Sequence, residues 1–239
     1  MRTPRVLLGA AVLAAAMVGS VSVTSLASAD ADVPVPQTIQ VSGTFNGGGN
    51  RYYGTGDLGS GGQNEGQDPL FRLANGATLT NVVLGAPAAD GVHCAGSCTL
   101  RNVTWQDVGE DAATFRGTNA TVLIEGGSAA KASDKVFQDN RGAGGSVTIR
   151  NFTVNDFGKL YRSCGNCSTQ AARSVTLQNI TASDGDVLVG ININYGDTAR
   201  LSGLNVGSIG ICDLYNGNNS GDEPVKVGEG PNNTNCRVS

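Results

Sequence analysis

The sequence is poor in several residue types on which many enzymes and binding proteins depend. It has one histidine, His93, in 239 residues, so a Ser-His-Asp triad or a His-rich zinc site would have to use that residue. Charged residues make up 15% and aromatic residues 5%, which leaves little material for long charged helices. Basic residues total 16 against 20 acidic ones, without a basic block, so we expect no nucleic-acid partner. What is abundant is glycine, with 35 residues, and this favours one β-rich, turn-rich domain.

The N-terminal segment has the pattern of a secretion signal. Two arginines precede an apolar run from Val6 to Val18, and the small residues Ala27–Ala29 form a cleavage site. The run is shorter than the roughly 20 residues that a membrane-spanning helix needs. We therefore predict a signal peptide at 1–29, a single domain at 30–239, and a secreted, extracellular product with no membrane contact after cleavage.

All six cysteines fall in the predicted mature chain. An even number of cysteines in an oxidising compartment predicts disulfide bonds, although many pairings are compatible with the sequence. Pairing between sequence neighbours is the simplest of them. The cysteines are Cys94, Cys98, Cys164, Cys167, Cys212 and Cys236.

A short pattern of β-branched or leucine residues alternating with polar ones returns along the chain. Its copies begin at Thr78, Thr99, Thr121, Thr148, Thr176 and Arg200. A period of roughly 20–30 residues is typical of solenoids, and alternation indicates a half-buried strand. Stacked parallel strands can bury an apolar face that a single strand cannot. We therefore predict an all-β, single-domain parallel β-helix rather than an antiparallel sandwich, which would not repeat one strand at a common phase.

The repeat phase brings carboxylates together. Asp90 and Asp111 lie at the same distance from the start of their copies, so their side chains should stack about 4.8 Å apart on adjacent rungs. Glu110 adds a third carboxylate. Hard oxygen ligands without histidine or thiolate favour Ca²⁺ over zinc or copper. The alternative is a solvated acidic turn.

Basic residues concentrate in the copies that follow. Lys135 and Arg162 lie at matching distances from the starts of their copies, with Lys131 and Lys159 nearby. An acidic row continued by a basic row suits an anionic substrate that is held by a cation and attacked by a lysine or arginine. Ion-paired surface charge is the alternative.

Several segments around these residues carry recognisable motifs in order. They are Ala86–Cys94, Trp105–Ala112, Lys131–Gln138, Ile149–Phe152 and Gly158–Leu160. Together they resemble the successive motifs of the pectate lyases of polysaccharide lyase family 3. The resemblance implies a right-handed parallel β-helix, secretion, a monomer, and Ca²⁺-dependent, endo-type β-elimination of polygalacturonate or low-esterified pectin, giving 4,5-unsaturated oligogalacturonates.

The resemblance also implies roles for individual residues. The Ca²⁺ ligands would be Asp90, Glu110 and Asp111; the catalytic residues Lys135, Lys159 and Arg162; and the substrate-binding residues Lys159, Arg162, Lys131 and Glu65. Lys135 is the expected general base and must be neutral to accept a proton. Nearby cations would lower its pKa, and we expect an alkaline activity optimum.

Two other functions fit the same pattern. A β-helical glycoside hydrolase of pectin would use two carboxyl groups with a water between them. A non-catalytic pectin-binding module would need only the charges. The hydrolase does not account for the basic row, and the binding module predicts Ca²⁺-dependent retention on polygalacturonate without new chain ends.

Overall fold

A computed structural model describes residues 31–239. The predicted signal peptide lies outside the described residues. Within them, 16 strands form one continuous sheet, and the two helices are single 3₁₀ turns at Gly56–Leu58 and Ile193–Tyr195. No helix in this part of the chain is long and apolar enough to cross a membrane.

The strands are short at the N-terminal end and longest in the centre. They are β1 Asp32–Val35, β2 Ile39–Val41, β3 Thr44–Asn46, β4 Arg51–Gly54, β5 Phe71–Leu73, β6 Ala77–Leu84, β7 Val92–Cys94, β8 Cys98–Trp105, β9 Ala113–Phe115, β10 Thr121–Asp139, β11 Ser146–Ser163, β12 Ser174–Asn192, β13 Thr198–Asn205, β14 Gly210–Asn216, β15 Val225–Gly230 and β16 Cys236–Val238. Pairing is parallel between all strands named here except β14 and β15. The predicted parallel β-helix is therefore confirmed.

The core is a set of columns that run along the solenoid axis. One column takes one residue from each of six successive rungs, all paired in register and none more than 1% exposed: Leu79, Leu100, Ile124, Ile149, Leu177 and Leu201. Burying each such side chain contributes about 1.5–3 kcal/mol. The apolar residues of the repeated pattern thus stabilise the stacking of successive rungs.

A second column explains the asparagine that recurs after the strand pattern. Asn81, Asn102, Asn151 and Asn179 all adopt φ between 51 and 55°, a left-handed conformation that asparagine tolerates better than other side-chain-bearing residues. Their amides bond between rungs, as from Asn179 Nδ2 to Asn151 Oδ1 at 3.1 Å. The recurrent asparagine therefore forms a corner of the solenoid.

The phase of the third copy differs from the sequence prediction. Thr78 pairs with Thr99 as predicted, but Thr99 pairs with Leu123 instead of Thr121. The connection before this rung is two residues longer than the repeat pattern suggested. Because strand side chains alternate with a period of two, a shift of two leaves the inward and outward faces unchanged. The alternation of apolar and polar residues therefore could not reveal the error in the predicted phase.

The six cysteines form three disulfides between sequence neighbours. The pairs are Cys94–Cys98, Cys164–Cys167 and Cys212–Cys236. The simplest of the pairings open to the sequence is therefore correct. The last bond joins β14 to β16, the C-terminal strand.

Candidate functional site

The strand register places four charged residues in one row across successive rungs. Val92 on β7 pairs with Ala113 on β9, and Ala113 pairs with Phe137 on β10. Counting back two residues from each aligns Asp90 with Asp111 and Asp111 with Lys135. Lys135 in turn pairs directly with Lys159 on β11. The row therefore reads Asp90, Asp111, Lys135, Lys159 and changes from negative to positive at its middle.

The predicted equivalence of Lys135 and Arg162 is wrong. Lys135 pairs with Lys159, whereas Arg162 pairs with Gln138. Two features shift the register, the longer connection before the third rung and an irregularity between Ala132 and Lys135. Arg162 consequently lies beside the row rather than in it.

Three buried carboxylates form an acid cluster, which we define as Asp90, Glu110 and Asp111. Each is at most 4% exposed, and each offers an oxygen that lies within 4.8 Å of the others. Asp90 Oδ1 and Asp111 Oδ1 are buried and accept no hydrogen bond among residues 31–239. Orphaned buried oxygens of this kind require a partner, and an all-carboxylate set is the chemistry that Ca²⁺ prefers. The residues present therefore fit a Ca²⁺ ion.

Close backbone approaches in the two connecting turns assemble this cluster. Gly91 has φ +48°, and a Cβ on it would lie 2.2 Å from the carbonyl oxygen of Ala112. A Cβ on Gly109 would lie 2.0 Å from the carbonyl oxygen of Ala89, which also accepts a hydrogen bond from the amide of Glu110 at 2.9 Å. Glycine is required where backbones approach so closely. The motif glycines thus bring the two acidic turns into contact.

His93 orients one member of the cluster. Its Nε2 lies 2.6 Å from Asp90 Oδ2, and both side chains are buried. This contact fixes Oδ2, whereas Oδ1 has no hydrogen-bond partner in the described part of the chain. The single histidine is thus a neighbour of the candidate metal ligands.

Burial raises the pKa values of two members of the acid cluster, Glu110 and Asp111. Burial, with additional repulsion from Asp90, raises the pKa of Glu110 from 4.5 to about 7, although Lys135 opposes this rise. Burial likewise holds the pKa of Asp111 well above its ordinary value. Without a cation, therefore, the cluster resists full ionisation.

Lys135 forms ion pairs with three carboxylates. Its Nζ lies 2.7 Å from Asp134 Oδ2, 3.5 Å from Glu110 Oε1 and 3.7 Å from Asp111 Oδ1. Burial lowers the pKa of Lys135, but attraction to Asp111 and Asp134 outweighs burial and raises it above its ordinary value. This differs from the expected lowering, because the nearest charges to Lys135 in the structure are carboxylates and not cations.

Asp134 links the two lysines of the row. It accepts from Lys135 and lies 3.7 Å from Lys159 Nζ. Burial raises the pKa of Asp134, but its bond to Lys135 outweighs burial and the net shift is downward. Sequence reasoning placed Asp134 inside a motif but gave it no role, since nothing in the spacing shows that it faces both lysines.

Arg162 is buried beside the row, and burial lowers its pKa. Its guanidinium carbon lies 4.1 Å from the ring centroid of Tyr215. Tyr215 lies on β14 and was not predicted as a site residue. No local sequence motif marks Tyr215, because its contact with Arg162 depends on how the C-terminal rungs stack.

The basic side chains of the site line one cleft of about 630 Å³, whereas the acid cluster lies beside Lys135 and is not among the lining residues. Of the residues predicted for substrate binding and catalysis, four lie in its walls. They are Glu65, Lys135, Lys159 and Arg162, joined by Gln138, Asn140 and Tyr215. Lys131 is not among the lining residues. It is exposed on the surface, where its Nζ lies 3.5 Å from Asp107.

The fold and cleft together define a class of protein, a parallel β-helix with a buried acid cluster beside lysine and arginine. Comparison with known proteins agrees with this class. A family model described as pectate lyase matches residues 23–222. The chain belongs to the pectate lyase family, which confirms the enzyme class inferred from the motifs.

Individual relatives cover most of both chains. A protein named probable pectate lyase E from Neosartorya fischeri is 52% identical over 197 residues, spanning 81% of this chain and 76% of the relative. Pectate lyase E of Emericella nidulans is 50% identical over 208 residues, spanning 85% and 79%.

Solved structures of pectate lyases are also similar to this chain. The catalytic domain of pectate lyase PelI from Erwinia chrysanthemi has a TM-score of 0.73 at 34% identity, covering 87% of this chain and 97% of that one. PelI in complex with tetragalacturonic acid has a TM-score of 0.69 at 33% identity, covering 86% and 68%.

Proposed function

We propose that this protein is a secreted, Ca²⁺-dependent and endo-acting pectate lyase of family 3, which cleaves polygalacturonate by β-elimination. The observation that carries the proposal is the row Asp90, Asp111, Lys135 and Lys159, whose two lysines line one cleft. Such a row can hold a cation and an anionic sugar side by side. The endo-acting mode and the family number rest on the resemblance of the motifs, and three disulfides support secretion.

Asp90, Glu110 and Asp111 would hold the Ca²⁺ ion. When bound, the ion would supply Lewis-acid stabilisation of the negative charge that develops on the C6 carboxylate of the substrate. The orphaned oxygens of Asp90 and Asp111 support this assignment. Glu65 lines the same cleft and contributes to the field at Glu110, which supports a role near the bound sugar.

The protein's own residues would carry out the proton transfer. Lys135 Nζ accepts the C5 proton, which is acidified by the adjacent C6 carboxylate. The C5–H electron pair forms the C4–C5 double bond, and the C4–O4 bond breaks with its electrons leaving on O4. Water protonates O4. Lys159 and Arg162 bind the carboxylate and stabilise its developing charge.

Lys135 must lose its own proton before it can act as a base. It shares Glu110 and Asp111 with the candidate metal-ligand set. Neutralising those carboxylates removes interactions that raise the pKa of Lys135, so metal loading and lysine deprotonation are coupled. We therefore still expect an alkaline activity optimum.

The arrangement disfavours the hydrolase alternative. A glycoside hydrolase places a water, or a short gap, between two carboxyl groups. Here the ammonium of Lys135 lies against two of the three carboxylates. A β-elimination needs a base beside a cation site, and this geometry supplies both.

The test is ultraviolet absorbance of the purified mature protein acting on polygalacturonate at alkaline pH. A rise with Ca²⁺ that a chelator abolishes is the expected result, because only elimination produces a conjugated unsaturated uronate. New reducing ends without the rise would identify a hydrolase, and Ca²⁺-dependent retention without new ends would identify a binding module.

A further inference from the structure

The guanidinium of Arg162 is held on one edge and on one face. Nη1 donates to the carbonyl oxygens of Ser163 at 2.6 Å and Gly190 at 3.4 Å, and to Asn192 Oδ1 at 3.1 Å. The Tyr215 ring covers one face at 4.1 Å. All three recorded hydrogen bonds leave from Nη1. Nη2 is buried and has no acceptor among residues 31–239.

Two glycines make room for this position. A Cβ on Gly190 would lie 2.7 Å from Cδ of Arg162, and one on Gly165 would lie 2.5 Å from its Nη2. Neither glycine has a left-handed φ, so glycine is needed here for space and not for backbone conformation. Arg162 therefore occupies a fitted slot and is not a freely moving surface charge.

The hydrogen bonds around Asn192 fix which end of its amide faces Arg162. Ser163 Oγ donates its hydrogen to the buried Asp197, so it can only accept from Asn192. Asn192 Nδ2 donates to Ser163 Oγ and to the Cys164 carbonyl, both at 2.9 Å. With its amino group committed to two acceptors, Asn192 must present Oδ1 to the guanidinium. Asn192 is itself fully buried.

We infer that Asn192 and Tyr215 are positioning residues that hold the guanidinium of Arg162, whose side chain lines the cleft, in place for a carboxylate of the bound galacturonan. A guanidinium binds a carboxylate best through a fixed fork of two donors, and here the Nη1 donors are already used within the protein. This inference rests on the proposed function, in which Arg162 binds the substrate carboxylate. It assigns to the known reaction two residues that do not themselves take part in proton transfer.

The first test replaces the ring while sparing the fold. Tyr215→Leu removes the stacking face and should lower kcat/KM on polygalacturonate by about fivefold to tenfold. Tyr215→Phe keeps the face and should restore most of the activity. The matched control is Tyr53→Leu, since Tyr53 stacks with Arg51 at 5.4 Å outside the cleft. Its kcat/KM should equal that of the unchanged protein, and thermal melts should show all three variants folded.

The second test asks whether these residues act through Arg162. Tyr215→Leu and Asn192→Ala are each combined with Arg162→Ala in a double-mutant cycle. We expect the loss from either single variant to vanish in the Arg162→Ala background, which a merely structural role would not produce. Binding of trigalacturonate in the presence of a chelator gives a readout independent of turnover and metal, and should weaken in the same pattern.

Gly165→Ala covers the case in which Asn192→Ala fails to fold. Its methyl group should displace Nη2 and reproduce the loss seen with Tyr215→Leu. If Tyr215→Leu matches the unchanged protein while Arg162→Ala loses activity, or if the losses simply add in the double variants, the positioning role is wrong and the proposed function stands. If Arg162→Ala itself retains full activity and trigalacturonate binding, the role proposed for Arg162 fails, and the positioning role with it.

Discussion

Two clusters of buried charge differ in how completely hydrogen bonds satisfy their carboxylates: the acid cluster, in the turns before β7 and β9, and a cluster around Asp139 at the end of β10. In the acid cluster, one oxygen each of Asp90 and Asp111 accepts no hydrogen bond in the described part of the chain. By contrast, both oxygens of Asp139, four residues beyond Lys135 on β10, are used. Oδ1 accepts from the Arg141 backbone and Nε, and Oδ2 from Arg141 Nη2 and Tyr161.

We interpret the difference as one between the proposed metal site and a structural ion pair. A buried carboxylate with all its donors in place contributes to the uniqueness of the fold, whereas one with open positions costs stability until a ligand arrives. Asp139 and Arg141 are both at most 1% exposed and face the interior. The acid cluster instead adjoins Lys135, which lines the cleft. We therefore expect mutation to lower the stability at Asp139 but to raise the stability of the metal-free protein in the acid cluster.

The largest expected effect follows from removing the proposed base, Lys135. Lys135→Ala should lower turnover by about 10²- to 10⁴-fold while Ca²⁺ binding persists or tightens, because the ammonium no longer competes for Glu110 and Asp111. Steady-state absorbance assays and calorimetric Ca²⁺ titration measure the two quantities. The control is Arg101→Ala, whose exposed side chain pairs with Glu125 away from the cleft. Normal turnover in Lys135→Ala would remove Lys135 from the mechanism.

The next effect is on stability and belongs to the satisfied cluster. Asp139→Asn keeps the shape but leaves Arg141 as an uncompensated buried charge, and should lower the free energy of unfolding by about 3–5 kcal/mol. Urea denaturation measures it. The exposed pair of Asp32 with Arg51 gives the control, because Asp32→Asn should cost less than about 1 kcal/mol. Equal losses in the two variants would contradict the assigned importance of burial.

The acid cluster should respond in the opposite direction. Asp111→Asn removes one ligand and should weaken Ca²⁺ binding by at least about tenfold, yet the metal-free protein should become more stable because repulsion with Glu110 and Asp90 is relieved. Calorimetry with Ca²⁺ and melts in chelator separate the two results. Asp107→Asn, on the exposed surface, is the control. A less stable metal-free Asp111→Asn would show that the cluster is already satisfied.

The smallest effect is on the pH dependence of stability. The folded pKa of Glu110 is about 7, raised from 4.5, so between these values the folded state binds more protons than the unfolded state. Stability of the metal-free protein should therefore fall as pH rises through this window, by a few degrees in Tm. Glu110→Gln should flatten the change. An unaltered slope in that variant would assign it to other groups.

Much of the site could be predicted because it follows from local spacing. Asp90 and Asp111 lie on rungs of equal phase, so their stacking could be derived from the repeat and is present in the structure. The order of the next two residues could not. Lys135 aligns with Lys159 because the third rung is displaced by two residues, a shift that a pattern of period two does not record, and because an irregularity after Ala132 displaces the pairing by one residue more. The roles of these residues, Lys131 included, remain predictions.

The sequence by itself determined the parallel solenoid, the proximity of the three acids and the family, because each depends on short segments whose alternation, turn glycines and motifs are local. Only the tertiary structure decided which charges are satisfied. Asp139 has its partners, Lys135 has carboxylates for neighbours rather than cations, and Arg162 is held by Asn192 and Tyr215 from later rungs. The physical reason is that burial and hydrogen-bond partnership arise from stacking between rungs, where connections of unequal length set which side chains meet.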